Sequence, residues 1–123
     1  MGKDEQTLKI VYPRRATGIL NVIQFKDHEH FIAYAPALNL SAYGESPKEA
    51  VEMLMTVVLD DFWQKLFSLP ENQVAIELQK LGWKRNNLFK KKFIASSYVD
   101  REGLLRDFNL ADETQITESL IAV

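Results

Sequence analysis

The chain has 123 residues and a net charge of −2, enough for one domain with a single core and without the bulk charge of a general nucleic-acid binder. It contains no cysteine, which excludes disulfides, thiolate zinc sites and a cysteine nucleophile, and fits a reducing cytoplasm. No apolar run approaches the ~20 residues that span a bilayer. The opening Met1–Gln6 is polar and unlike a secretion signal, so a cytoplasmic protein without a membrane partner is expected.

Thr7–Tyr12 is β-branched and aromatic and stops at Pro13, which predicts a first strand or docking arm. Arg14 and Arg15 then read as loop. Gly18–Lys26 predicts a strand whose apolar residues lie on both faces, as in a sheet covered on each side. Asp27–Glu29 is a polar turn, and His30–Ala35 completes a hairpin. Pro36 ends that strand, Ala37–Asn39 is loop, and Leu40–Tyr43 is a third short strand. Gly44 is expected to take an unusual backbone angle before the helix that follows.

That helix carries the strongest signal in the chain. Ser46 is an N-cap, Pro47 suits the first helical position, and Glu49 completes a capping box. Val51, Leu54, Val58, Phe62 and Leu66 recur every three or four residues, widened by Ala50 and Val57. An amphipathic helix ending near Pro70 must bury this stripe on the sheet, giving a two-layer α+β domain.

Glu71–Leu81 predicts a shorter helix capped by Gly82, with Trp83 as its anchor on the core. Leu88–Ala95 alternates weakly and is read as a fourth strand. Arg101–Phe108 predicts a short helix, Asn109–Glu113 a turn, and Gln115–Val123 a closing strand that pairs within the domain or across a dimer. Residues 1–95 are thus taken as the α+β domain and 96–123 as a C-terminal extension packed on it or in a dimer.

The segment Phe31–Ala50 resembles the N-terminal domain of the HicB antitoxin family: a strand, a loop with Pro36 and Leu38, a short strand, Gly44-Glu45-Ser46, then Glu49-Ala50 opening a helix. The preceding hairpin fits the family's first two strands, so the likeness covers Gly18 to about Leu66. It implies a truncated RNase-H-like β-β-β-α-β unit, with a three- to four-stranded antiparallel sheet on a long helix. It also implies a non-catalytic antitoxin that neutralises a small RNA-cleaving toxin. The chain departs from the family at Asn39-Leu40-Ser41, where members often carry proline-glycine-cysteine. No helix-turn-helix or ribbon-helix-helix is recognisable after Leu81.

Residue chemistry favours binding over catalysis. A metal-dependent nuclease needs several carboxylates converging on its ions. Here Asp27 and Glu29 fall in a turn, Glu45 before a cap, and Asp60 and Asp61 in mid-helix. No catalytic residue, cofactor or physiological metal site is expected, although His28 and His30 share a face in the hairpin. The loop and its flanks, Tyr34, Pro36, Leu38, Asn39 and Tyr43, are candidate partner contacts, or else fill the space between sheet and helix. Lys84, Arg85, Lys90, Lys91 and Lys92 surround Leu88 and Phe89 without an acid between them, a composition of nucleic-acid contact or of a solvated face. The large aromatics Phe62, Trp63, Phe67 and Trp83 read as core. The resemblance implies a small toxin protein as partner; operator DNA, if a divergent C-terminal reader exists, and a second copy of the chain through an open sheet edge are the other expected partners. The other possibility is a structural or ligand-binding domain with neither partner.

Overall fold

The computed structural model describes residues 6–11, 15–95 and 101–123. The expected strand stop at Tyr12–Pro13, Arg14, the polar start and the boundary at residue 96 lie outside the described residues. Among the described residues, seven strands and four α-helical segments follow in chain order. They are β1 (Gln6–Val11), β2 (Arg15–Asp27), β3 (His30–Ala35), β4 (Leu40–Gly44), α1 (Pro47–Met53), α2 (Leu59–Leu66), α3 (Glu71–Lys80), β5 (Lys84–Arg85), β6 (Lys92–Ala95), α4 (Arg101–Asp107) and β7 (Ile116–Ala122). The architecture is α+β as expected, but the antiparallel sheet holds seven strands instead of three or four. Arg15 opens β2 and is not loop.

β2 organises the sheet. Ile19 pairs with both Thr7 of β1 and Ala122 of β7, and Ile23–Phe25 pair with both β3 and β7. A strand has two edges, so β7 occupies one while β1 and β3 share the other in succession. Between them, at Asn21, the edge of β2 has no strand opposite it. Gln6, fully buried, fills the gap: its Oε1 accepts from the Asn21 backbone N–H at 2.9 Å. The Asn21 side chain donates to Glu118 of β7 at 3.2 Å. A backbone donor that would otherwise be orphaned in the interior is thereby satisfied. The closing strand thus pairs inside the chain.

Both faces of β2 are covered. Ala16, Leu20 and Val22 pack beneath the long helix, while Ile23 and Phe25 point the opposite way, onto Leu104 and Phe108. This is why the strand lacks a clean polar face.

The long helix starts where its caps require. Ser46 Oγ accepts from the Glu49 N–H at 3.1 Å, and the Glu49 carboxylate accepts from the Glu45 N–H at 3.1 Å. Gly44 does not have a positive φ, contrary to expectation. Its need is space, because an added Cβ would lie 2.8 Å from the Ala50 nitrogen. Ser46→Ala is expected to destabilise the domain by about 1 kcal/mol, measured by urea unfolding, since one first-turn donor loses its acceptor.

Between α1 and α2, residues Leu54–Val58 form a π-helical turn, closed by Leu59 N–H donating to Leu54 C=O. The turn inserts one extra residue and rotates everything after it. The buried stripe is therefore Ala50, Leu54, Leu59, Trp63 and Leu66. The sequence periodicity favours Val58 and Phe62, which are only partly buried, and Val57 is 51% exposed.

α3 ends in a Schellman motif: Gly82 has φ +102°, its N–H donates to Gln79 C=O, and the Trp83 N–H donates to Leu78 C=O. This reversal sends Trp83 into the core, where it is 1% exposed and its Nε1 donates to the Ala37 carbonyl at 2.9 Å. Trp83 thus ties α3 to the loop between β3 and β4. The expected strand from Leu88 is shorter: pairing starts at Lys92, and residues 86–91 form a hairpin loop between β5 and β6. Among the described residues no helix is long and apolar enough to cross a membrane.

Candidate functional site

The residues expected at a partner surface divide between core and exterior. Leu38 is 2% exposed and packs with Trp83 in the main apolar cluster, so it is architecture, not contact. Pro36 is half-buried. It begins a turn in which its carbonyl accepts from the Asn39 N–H at 3.1 Å. Asn39 is exposed with φ +54°, a left-handed conformation that asparagine tolerates better than most residues. These three residues shape the loop and do not converge on one surface.

The tyrosines lie elsewhere. β3 and β4 place His30, Ile32, Tyr34, Ser41 and Tyr43 on the face away from the long helix, because Tyr43 pairs with Ile32 and Ser41 with Tyr34. Tyr43 is 66% exposed, and its ring meets that of His30 edge-on at 5.6 Å. Tyr34 is wedged against Phe108 of the C-terminal segment at 5.2 Å, and Phe108 in turn meets Phe25 at 4.9 Å. The strip of side chains on this face thus holds two separate aromatic groups, Tyr34 with Phe108 and Phe25, and Tyr43 with His30, with Ile32 opposite Tyr43. It combines rigid apolar bodies with polar tips, the side-chain chemistry of protein recognition.

Burial, and secondarily the Asp107 carboxylate, push the Tyr34 phenol above its ordinary value of 10.0. A folded-state value above the unfolded one means that folding favours the protonated phenol. That contribution is complete below pH ~10 and is lost as the pH rises through the folded value. Tyr34→Phe is expected to remove this alkaline loss, as measured by unfolding midpoints on both sides of pH ~10.

Several carboxylates among the described residues contact groups close to them in the chain. Asp60 accepts from Gln64 at 2.9 Å, Asp61 pairs with Lys65 at 2.9 Å, Asp27 with His28 at 2.6 Å, and Glu49 serves the helix cap. Each is engaged with a neighbour in sequence. Among the described residues no three His, Asp or Glu side chains stand close enough to hold a metal ion. The His28 ring contacts Asp27, whereas the His30 ring meets Tyr43. A groove of about 470 Å³ between Lys26, Phe31, Pro47 and Thr117 has the Lys26 ammonium 5.5 Å above the Phe31 ring.

The basic stretch does form one structure. β5 and β6 bring Lys84, Arg85, Lys90, Lys91 and Lys92 onto a single hairpin, with all five exposed. Its loop is fixed by side chains. Asn86 Oδ1 accepts from the Leu88 and Phe89 N–H groups, each at 2.8 Å, and Arg85 Nε donates to Lys90 C=O at 2.8 Å. Leu88 and Phe89 stand at the tip, 85% and 57% exposed. Asn86 is the signal that sequence reading passed over: an Asx turn explains why the strand does not begin at Leu88.

No family model, curated protein or solved structure matches the chain.

Proposed function

We propose that the chain is a non-catalytic protein-binding module, a HicB-like antitoxin that caps a small RNA-cleaving toxin. The observation that carries the binding part is Tyr43. This large aromatic side chain of β4 stays 66% exposed even with the His30 ring edge-on against it. It sits on a short strand whose pairing within the sheet is to β3, so backbone groups for strand addition lie beside it. The toxin as partner comes from the resemblance of Phe31–Ala50 to the antitoxin family.

An operator-binding regulator with its reader in the C-terminal part has weaker support. α4 has seven residues and is followed by β7, which is committed to β2. Co-expression with the product of a small open reading frame adjoining this chain's gene tests the proposal. The expected result is restored growth and a co-purifying complex. A neighbour that is toxic and stays toxic, with no complex recovered, overturns it.

A further inference from the structure

The β5–β6 hairpin has features that neither the core nor the tyrosine strip uses. Lys84, Arg85 and Lys90 line a cleft of about 420 Å³, together with Gln79, Asn86 and Asn87. Among the described residues the ion pairs are Asp61–Lys65, Glu77–Lys80 and Asp107–Arg106, and Asp27 contacts His28, so none of these three cations is neutralised by one of them. A net charge of −2 on the whole chain makes this concentration of positive charge local and directional. Beside the cleft, the Phe89 ring is 57% exposed, with the Lys92 ammonium 4.8 Å from its centroid. The side-chain bonds from Asn86 and Arg85 hold the tip in one conformation, so binding there need not order a mobile loop.

We propose that this hairpin is a binding site for single-stranded nucleic acid. The sugar-phosphate backbone follows the cleft past Lys84, Arg85 and Lys90, and an unpaired base stacks on Phe89. The amides of Gln79, Asn86 and Asn87 supply donors and acceptors to the polar edges of the ligand. A single strand fits better than a duplex because stacking on Phe89 requires an exposed base face. It fits better than a membrane surface because the cations line a concavity, whereas a bilayer is broad and flat. The inference does not rest on the antitoxin reading, since it involves a different surface and partner.

Fluorescence anisotropy of the full chain with labelled oligouridylate, the matching oligodeoxythymidylate and a DNA duplex tests it. Either single strand is expected to bind in preference to the duplex, and the two distinguish RNA from DNA. Affinity should fall with added salt, with a log–log slope of about −2 for three phosphate contacts. Lys84→Gln combined with Lys90→Gln should make that slope shallower by about 1.4. Phe89→Ala should weaken binding about tenfold at constant slope. All these positions are exposed, so circular dichroism should show the variants folded. Binding indifferent to both variants, or no binding at low salt, overturns the proposal. Adsorption to vesicles of anionic phospholipid, lost in a Leu88→Ser Phe89→Ser variant and with no oligonucleotide binding, overturns it in favour of a membrane surface.

Discussion

Replacing Trp83 with alanine is expected to lower the stability of the domain by about 4 kcal/mol. The indole is 1% exposed at the centre of the main cluster, among Leu8, Leu38, Leu78 and Phe93. Its removal leaves a cavity that three separate elements border. The same substitution orphans the Ala37 carbonyl, which accepts from Nε1 at 2.9 Å in the buried loop. Trp83→Phe weights the second effect, since it keeps a buried aromatic ring of somewhat smaller volume and removes the donor. That variant should lose about 1–3 kcal/mol, the penalty for a buried acceptor without a partner. Small domains are stable by only about 5–15 kcal/mol, so the alanine variant should melt on the order of 10–20 °C lower. Urea and thermal unfolding check both values. A Trp83→Ala protein within 1 kcal/mol of wild type, on the ~4 kcal/mol scale expected for such truncations, would remove Trp83 from its place as the tie between α3 and the β3–β4 loop.

Gly18→Ala should be nearly as damaging although it adds one methyl group. A Cβ at Gly18 would overlap the Thr7 carbonyl oxygen and lie 2.7 Å from its carbon and 2.9 Å from Leu8 Cα. All three are backbone atoms of β1, so no side chain can rotate away. β1 must pull back from β2, opening the Leu8–Gly18 register and the bond from Asn21 to Gln6. A loss of about 3 kcal/mol or more is expected, above the usual overpacking range because the backbone of a whole strand must move. Gly82→Ala is the comparison. Nothing lies within 4 Å of a Cβ there, and the strain comes only from φ +102°. Its cost should be about 1–2 kcal/mol, that of a left-handed backbone with a side chain. The order Gly18 above Gly82 is readable in a single set of denaturation curves, and the reverse order would contradict the close approach of β1.

What the sequence made legible was local. His30–Ala35 and Glu71–Lys80 begin and end where their turn and cap residues place them. Ser46, Pro47 and Glu49 start the long helix as their chemistry demands. Tertiary features were hidden. The π turn at Leu54–Val58 moves burial from Val58 and Phe62 to Leu59 and Trp63, because an inserted residue breaks a period that sequence reading assumes constant. The seven-stranded sheet was underestimated because β5, of two residues, is too short for any pattern, and because the joining of β1, β6 and β7 to the sheet of β2–β4 is a tertiary feature. Gln6 gave no signal, since its role depends on two strands dividing one edge of β2.

The candidate site was legible in part for the same reason. The five cations of the hairpin are neighbours in sequence and remain neighbours in space. Leu38, by contrast, was indistinguishable from a surface residue until Trp83 packed on it. Tyr34 and Tyr43 were named as contacts, and they lie on a face shared with His30 that the alternation of β3 and β4 defines.

The central claim is that the β3–β4 face carries the partner, and co-expression of Tyr43→Ala with the neighbouring small protein tests it most directly. Tyr43 is exposed, so the variant should fold and unfold like the parent. The account predicts that the parent chain restores growth and that Tyr43→Ala restores much less, with correspondingly less complex recovered. Equal protection by the two chains, or none by the parent against a toxic neighbour, would contradict it.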